Sequence, residues 1–247
     1  MGQQYKQLIS QLTSINASRA DYYRRLAHYF FTELTNDDIE FLANQDFTGL
    51  DAGDELLAQG YADMKAYLRH RNSGTREKLA ADYAHTFLAA GNYETFAATP
   101  YESVFTSALG LMMQEPRDEV YKVYCSEHIQ PDEALHMPED HISFEFQFIA
   151  TMLDRMSAAL EEGDWLRAAA LAHKVRDFHK DHQLNWIDDL TATVEEVANT
   201  RFYRGVAKVT RGFIHMETEV INDESNVIDE IIRSEAAASA AAKTAVA

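Results

Sequence analysis

Apolar side chains recur at helical spacing over most of this chain. Tyr22, Leu26, Tyr29, Phe30 and Leu34 succeed one another at steps of one, three and four, which places them on one face of a helix. The same spacing predicts helices over about 51–71 and 75–89, with Asn72-Ser73-Gly74 as the break between them. Further helices are expected near 139–161, 164–180 and 183–198, separated at Gly163 and around Asp181-His182. A last one near 200–221 carries Phe202, Val206, Val209, Phe213, Met216 and Val220 as a steady seam. Asp37 and Glu40 read as the cap of a short second helix. Period-two alternation with hairpin turns is absent. The expected fold class is therefore all-α, a single-domain helical bundle.

Two stretches depart from that pattern. All four prolines, Pro100, Pro116, Pro131 and Pro138, fall in one window, and proline interrupts helix interiors. The bundle should thus have an irregular, proline-containing middle segment. From Glu217 to Glu235 there are seven acids against the single Arg233, followed by an Ala-rich end. That segment reads as having little apolar face to bury, so the expected division is a helical domain over 1–221 and a flexible acidic tail over 222–247. The alternative for the tail is an acidic arm that contacts a basic partner.

Composition narrows the function. With 247 residues and 46% hydrophobic content, the chain can bury a substantial core. A formal charge of −18 argues against nucleic acid, which needs a basic footprint, and against anionic membrane surfaces. It favours a cationic partner. One cysteine, Cys125, rules out an internal disulfide and a cysteine-based zinc cluster. The first residues carry no apolar signal core and no run is long enough to span a bilayer, so the expected location is the cytoplasm, without stable membrane insertion.

Candidate chemistry concentrates in Met137-Pro138-Glu139-Asp140-His141-Ile142-Ser143-Phe144-Glu145. Pro138 can open a helix, and acids in the first turn of such a helix would suit the dipole. His141, Glu145, Phe148 and Met152 share one stripe, beside a core stripe of Ile142, Phe146, Ile149, Leu153, Met156 and Leu160. Spacing alone leaves two readings open: a capped helix start with one satisfied His–Glu pair, or a functional site. Catalytic patterns are missing. Only Glu133-Ala134-Leu135-His136 fits a Glu-x-x-His pair, and it lies between Pro131 and Pro138. The cluster His173, Asp177, His179 and His182 reads as a solvated polar face rather than a metal site. There is no phosphate-binding glycine loop and no nucleophile elbow. The expectation is a non-enzyme with no catalytic residues, no metal and no cofactor.

Pro138-x-Asp140-His141-x-x-x-Glu145-x-x-Phe148 resembles the signature of the TorD/DmsD family, cytoplasmic chaperones for molybdenum-cofactor oxidoreductases. Three further segments support the likeness in the right order, together spanning about residues 20 to 215. Tyr83-Ala84-His85-Thr86-Phe87-Leu88 resembles the family's Y-x-x-L-F element, with Thr86 in place of leucine and no proline after Gly91. Pro100-Tyr101-Glu102-Ser103-Val104-Phe105 resembles its P-[WY]-x-S-V-[YF] element. His182-x3-Trp186 with Arg201-Phe202-Tyr203-x3-Ala207 resembles its last two helices.

The resemblance implies a TorD-like bundle that binds the N-terminal, twin-arginine type leader of a molybdopterin oxidoreductase precursor and holds it for cofactor insertion. It implies peptide-binding roles for Pro138, Asp140 and His141, then Tyr101 and Ser103. Glu145, grouped with these, and Trp186 are expected chiefly to hold the architecture. An arginine of the leader would meet Asp140. If His141 titrates near neutrality, affinity for the client should vary across roughly pH 6–8. The alternative function is a maturation factor binding guanine nucleotide or the molybdenum cofactor itself. Monomer and domain-swapped dimer are both compatible with the family.

Overall fold

The computed structural model of the protein describes residues 3–50, 53–90 and 97–246. Among the described residues ten α-helices follow in order: α1 (Gln3–Phe31), α2 (Asn36–Asn44), α3 (Glu55–Leu68), α4 (Thr75–Phe87), α5 (Glu102–Thr106), α6 (Glu115–Ser126), α7 (Ile142–Glu162), α8 (Trp165–Phe178), α9 (Ile187–Val197) and α10 (Arg201–Val246). No β-strand occurs among the described residues. The all-α expectation is met.

The central element is α7. Its expected core stripe is buried throughout, and Glu145, Phe148 and Met152 on the neighbouring stripe are buried too. A helix apolar on nearly all sides belongs inside, and α7 packs between α1 and α8. Each of its large side chains contributes about 1.5–3 kcal/mol by leaving water. Gly163 ends it at φ 75°, the left-handed conformation that suits glycine. Asp164 then caps α8 by accepting from the Arg167 N–H at 3.0 Å.

Helices α3 and α10 touch backbone to backbone. A Cβ on Gly205 would lie 2.6 Å from the Gly60 carbonyl oxygen, so any side chain there forces the pair apart.

Several boundaries differ from the sequence reading, each for a local reason. The second helix is capped by Thr35, whose hydroxyl accepts from the Asp38 N–H in a capping box. Asp37 and Glu40 do not cap it, and Glu40 pairs instead with Arg71 at 2.8 Å. The proline window holds α5, α6 and a 3-10 turn at Glu133–Leu135. The predicted helix over 183–198 is shorter, because a π-helical turn at His179–Gln183 joins α8 to α9. The missing proline after Gly91 concerns residues 91–96, which lie outside the described residues.

The expected break at 221/222 does not appear, because α10 runs straight through it. Ile221, Ile228 and Ile231 are buried, continuing the helical seam behind the acids. Glu224 is buried as well and pairs with Arg19 at 2.6 Å.

Candidate functional site

Two chain segments that are far apart in sequence meet as a short antiparallel bridge between Tyr101 and His141. The Ile142 N–H donates to the Pro100 carbonyl at 2.9 Å, and the Glu102 N–H donates to the Asp140 carbonyl at 3.0 Å. These are the two proline-led motifs, and each prepares the other's helix. Tyr101 offers no side-chain cap to α5. The Asp140 carboxylate supplies it from across the bridge, accepting the Ser103 N–H at 2.9 Å. An anion at a helix N-terminus satisfies an orphan donor.

His141 caps α7 by an unusual means: its Nδ1 accepts the Ser143 N–H at 3.1 Å. An accepting Nδ1 leaves the proton of the neutral ring on Nε2. The ring also meets Tyr101 edge to face, 4.9 Å between centroids. The Ser143 hydroxyl donates to the Ala27 carbonyl at 2.8 Å and ties the start of α7 to α1.

Behind the bridge lies a buried acidic cluster. Asp140, Glu145 and Glu102 are all buried. Glu102, which the sequence reading passed over, joins the bridge to the π-helical turn. It pairs with His182 Nδ1 at 3.0 Å and accepts from Asn185 Nδ2 at 2.6 Å. The Trp186 indole N–H donates to the His182 carbonyl at 2.6 Å, so the turn is fixed at both ends. Burial pushes the carboxyls of Glu102 and Asp140 upward, against the hydrogen bonds each accepts. It pushes Glu145 much further, with the neighbouring Glu102 and Asp140 adding to the effect. Both Glu145 carboxyl oxygens lack a hydrogen-bond partner, which is tolerable only for a carboxylic acid kept neutral.

His179 and His182 are therefore buried structural groups, and the solvated face expected around them is confined to their neighbours. His179 is held between Gln183 and Thr218. No metal-binding group of three or more acids, histidines or cysteines occurs among the described residues.

In front of the bridge the surface opens into a cleft of about 480 Å³. Tyr101, His141, Met137, Phe31, Phe87 and Leu88 supply most of its wall, with Glu33 and Arg76 as charged groups. Leu88 is 59% exposed there.

A sequence model of the family described as nitrate reductase delta subunit matches residues 51–192, more than half of the chain and the whole stretch from the Pro100 bridge to Trp186. The chain belongs to the TorD/DmsD family. Among its relatives, the chaperone protein TorD of Vibrio parahaemolyticus is 26% identical over 222 residues, covering 87% of this chain and 100% of its own length. The TorD chaperones of Vibrio cholerae El Tor and Photobacterium profundum are each 24% identical over 87% of this chain, covering 97% and 100% of theirs. A TorD-family protein is a chaperone of molybdoenzyme maturation, a non-enzymatic role.

Within this TorD-family bundle the six residues singled out by sequence divide in two. Tyr101 and His141 line the cleft, and Pro138 stands half-buried at the turn before the bridge. Ser103, Asp140 and Glu145 are sealed behind it. Glu139 beside them is held by Arg117, whose Nη2 lies 2.7 Å away.

The titration expected of His141 is corrected by its surroundings. Burial lowers its pKa to about 3, so the ring is neutral from pH 6 to 8 and cannot drive a pH-dependent affinity there. A base with a depressed native pKa stabilises the fold above its unfolded value near 6.5 and loses that contribution as pH falls toward the native one. The His141 ring resonances should show no titration in NMR spectra between pH 5 and 8. A midpoint near 6.5 would mean that the ring is solvated.

Proposed function

We propose that this chaperone binds the leader of a molybdopterin oxidoreductase precursor, of the twin-arginine type, at the cleft in front of the Tyr101–His141 bridge. The observation that carries this reading is the convergence of the two family motifs on the wall of one open cleft of mixed aromatic and polar lining. The buried members of the motifs serve by construction. Asp140 and Ser103 fix the loop that carries Tyr101, and Glu102 anchors that loop to the π-helical turn. Client contact falls to the ring of Tyr101, which the buried His141 ring backs, and to Leu88.

An arginine of the leader meets Glu33 rather than Asp140, because Glu33 is exposed at the cleft while the Asp140 carboxylate is fully buried behind it. Arg76 then opposes the same ligand. Binding in the cytoplasm withholds the precursor from export until its cofactor is in place.

Affinity capture of the tagged protein from anaerobic cells, followed by mass spectrometry, tests the reading. One leader-bearing molybdoenzyme precursor should be enriched. Glu33→Arg should weaken recovery and Arg76→Glu strengthen it, with changes of about threefold to tenfold in affinity, as expected of partly solvated charge pairs. Recovery of no such precursor despite its confirmed expression would overturn the proposal. Equal recovery by both variants would remove Glu33 and Arg76 from recognition.

A further inference from the structure

Five buried oxygen atoms behind the Tyr101–His141 bridge have no protein partner among the described residues: Ser103 Oγ, the Tyr124 hydroxyl, Asp140 Oδ1 and both carboxyl oxygens of Glu145. Buried polar atoms are paired as a rule. These five belong to one polar region of the core. The carboxyls of Glu102 and Asp140 act on Glu145, and all three act on the Tyr124 phenol. Tyr124 comes from α6, Glu102 and Ser103 from α5, and Glu145 from α7.

The two carboxyls that neighbour Glu145 are the ones that hold the Tyr101 loop. Asp140 accepts the Ser103 N–H at 2.9 Å. Glu102 reaches His182 in the π-helical turn at 3.0 Å and Asn185 just after it at 2.6 Å. The Trp186 indole also approaches Glu145, although its N–H is donated to the His182 carbonyl at 2.6 Å. The side-chain attachments of the loop thus lie beside one carboxyl that has no attachment of its own.

A neutral Glu145 leaves these attachments intact. An ionised one adds a negative charge to a region that water does not screen, where like charges repel strongly. It would push against Glu102 and Asp140. It would also draw the two nearest donors, the Tyr124 O–H, which has no partner, and the Trp186 N–H, which closes the π-helical turn. Each of these moves loosens a hold on the loop. The other elements packed here bring no compensating charge: α1 meets this end of α7 through the Ser143–Ala27 hydrogen bond and the Tyr23 ring on Phe146, and α8 brings the Phe178 ring against Tyr124.

We infer that Glu145 is a proton-operated catch for the Tyr101 loop: with its proton on, Asp140 and the π-helical turn hold the loop, and with its proton off the loop and the cleft wall it forms come loose. Burial and the acidic neighbours hold the Glu145 carboxyl well above the usual carboxylate range. The catch therefore opens as pH rises through that raised value, not near the ordinary one of about 4.5. His141 takes no part, since its ring stays neutral throughout. The device concerns the loop itself and holds whatever occupies the cleft.

The test uses the full-length, ¹⁵N-labelled protein without any ligand, followed by NMR from pH 6 to pH 10. The indole N–H resonance of Trp186, told apart from that of Trp165 by Trp165→Phe, should shift in one titration step. Amide protection of residues 101–106, corrected for the intrinsic pH dependence of exchange, should fall about tenfold across the same step. Glu145→Gln keeps every other titrating group of the cluster and should abolish both changes. Glu102→Gln removes one neighbouring negative charge and should move the step to lower pH. That midpoint is read from the indole, so it stands even where the variant loosens the loop. A parent protein without the step, the same step in Glu145→Gln, or an unmoved midpoint in Glu102→Gln would each overturn the inference, and none of them bears on leader binding.

Discussion

Arg19→Ala is expected to cost about 3–5 kcal/mol of folding stability, the range for stranding a buried charge by removing its partner. Arg19 on α1 is almost wholly buried and meets two carboxylates of α10. Its Nε lies 2.9 Å from Glu217 and its Nη1 lies 2.6 Å from Glu224, and Nη1 also donates to Asn16 at 2.9 Å. Burial penalises the Arg19 charge and pushes the Glu217 carboxyl upward. The two carboxylates more than compensate the guanidinium, and it in turn counters part of the upward push on Glu217. Alanine leaves two buried acids facing a cavity. Urea denaturation would read the loss, and amide exchange would show whether residues 217–231 of α10 open first. Replacing Arg19, Glu217 and Glu224 together by apolar residues of similar volume should recover most of the stability. A loss below about 1 kcal/mol for Arg19→Ala would contradict the account, since that is the scale of a solvated pair.

Glu145→Gln should act in the opposite direction, and its effect should depend on pH. The native carboxyl sits well above the usual carboxylate range, through burial first and then through its acidic neighbours. The native state therefore keeps a proton that the unfolded chain releases above about pH 4.5. Stability from this group is complete below that pH and is lost as pH rises toward the native pKa, at about 1.4 kcal/mol per unit. Glutamine resembles the protonated acid and cannot ionise. Its advantage over the parent protein should be near zero at pH 4 and grow as pH rises, to no more than about 3.5 kcal/mol at pH 7. Denaturation curves at the two values decide it. A variant less stable than the parent at pH 7 would mean that the carboxylate is charged and has partners.

Much of this was legible in the sequence because it repeats. The seam of α10 and the core stripe of α7 follow helical spacing, and Gly163 and the four prolines mark interruptions that local chemistry alone requires. The order of the four family-like segments pointed to the chaperone before any contact was known. What could not be read were pairings over long sequence distance. Nothing near Glu102 announces His182 and Asn185, some eighty residues on. Nothing near Glu224 announces Arg19, so an acidic run looked like a solvated tail although isoleucines kept the seam going behind it. Asp140 illustrates the same limit. Its charge suggested a ligand for arginine, yet the neighbouring segment lacks a cap for α5, and Asp140 fills that need. The one local signal that was available is the helix start without its own capping residue at Tyr101.

The central claim is that the cleft beside the Tyr101–His141 bridge is the recognition face for a molybdoenzyme leader. Amide hydrogen exchange of the protein with and without a saturating leader peptide tests it most directly. The expected result is new protection around residues 83–88, 97–106 and 136–144. A leader that binds and protects only surfaces away from that cleft, or one that does not bind, would contradict it.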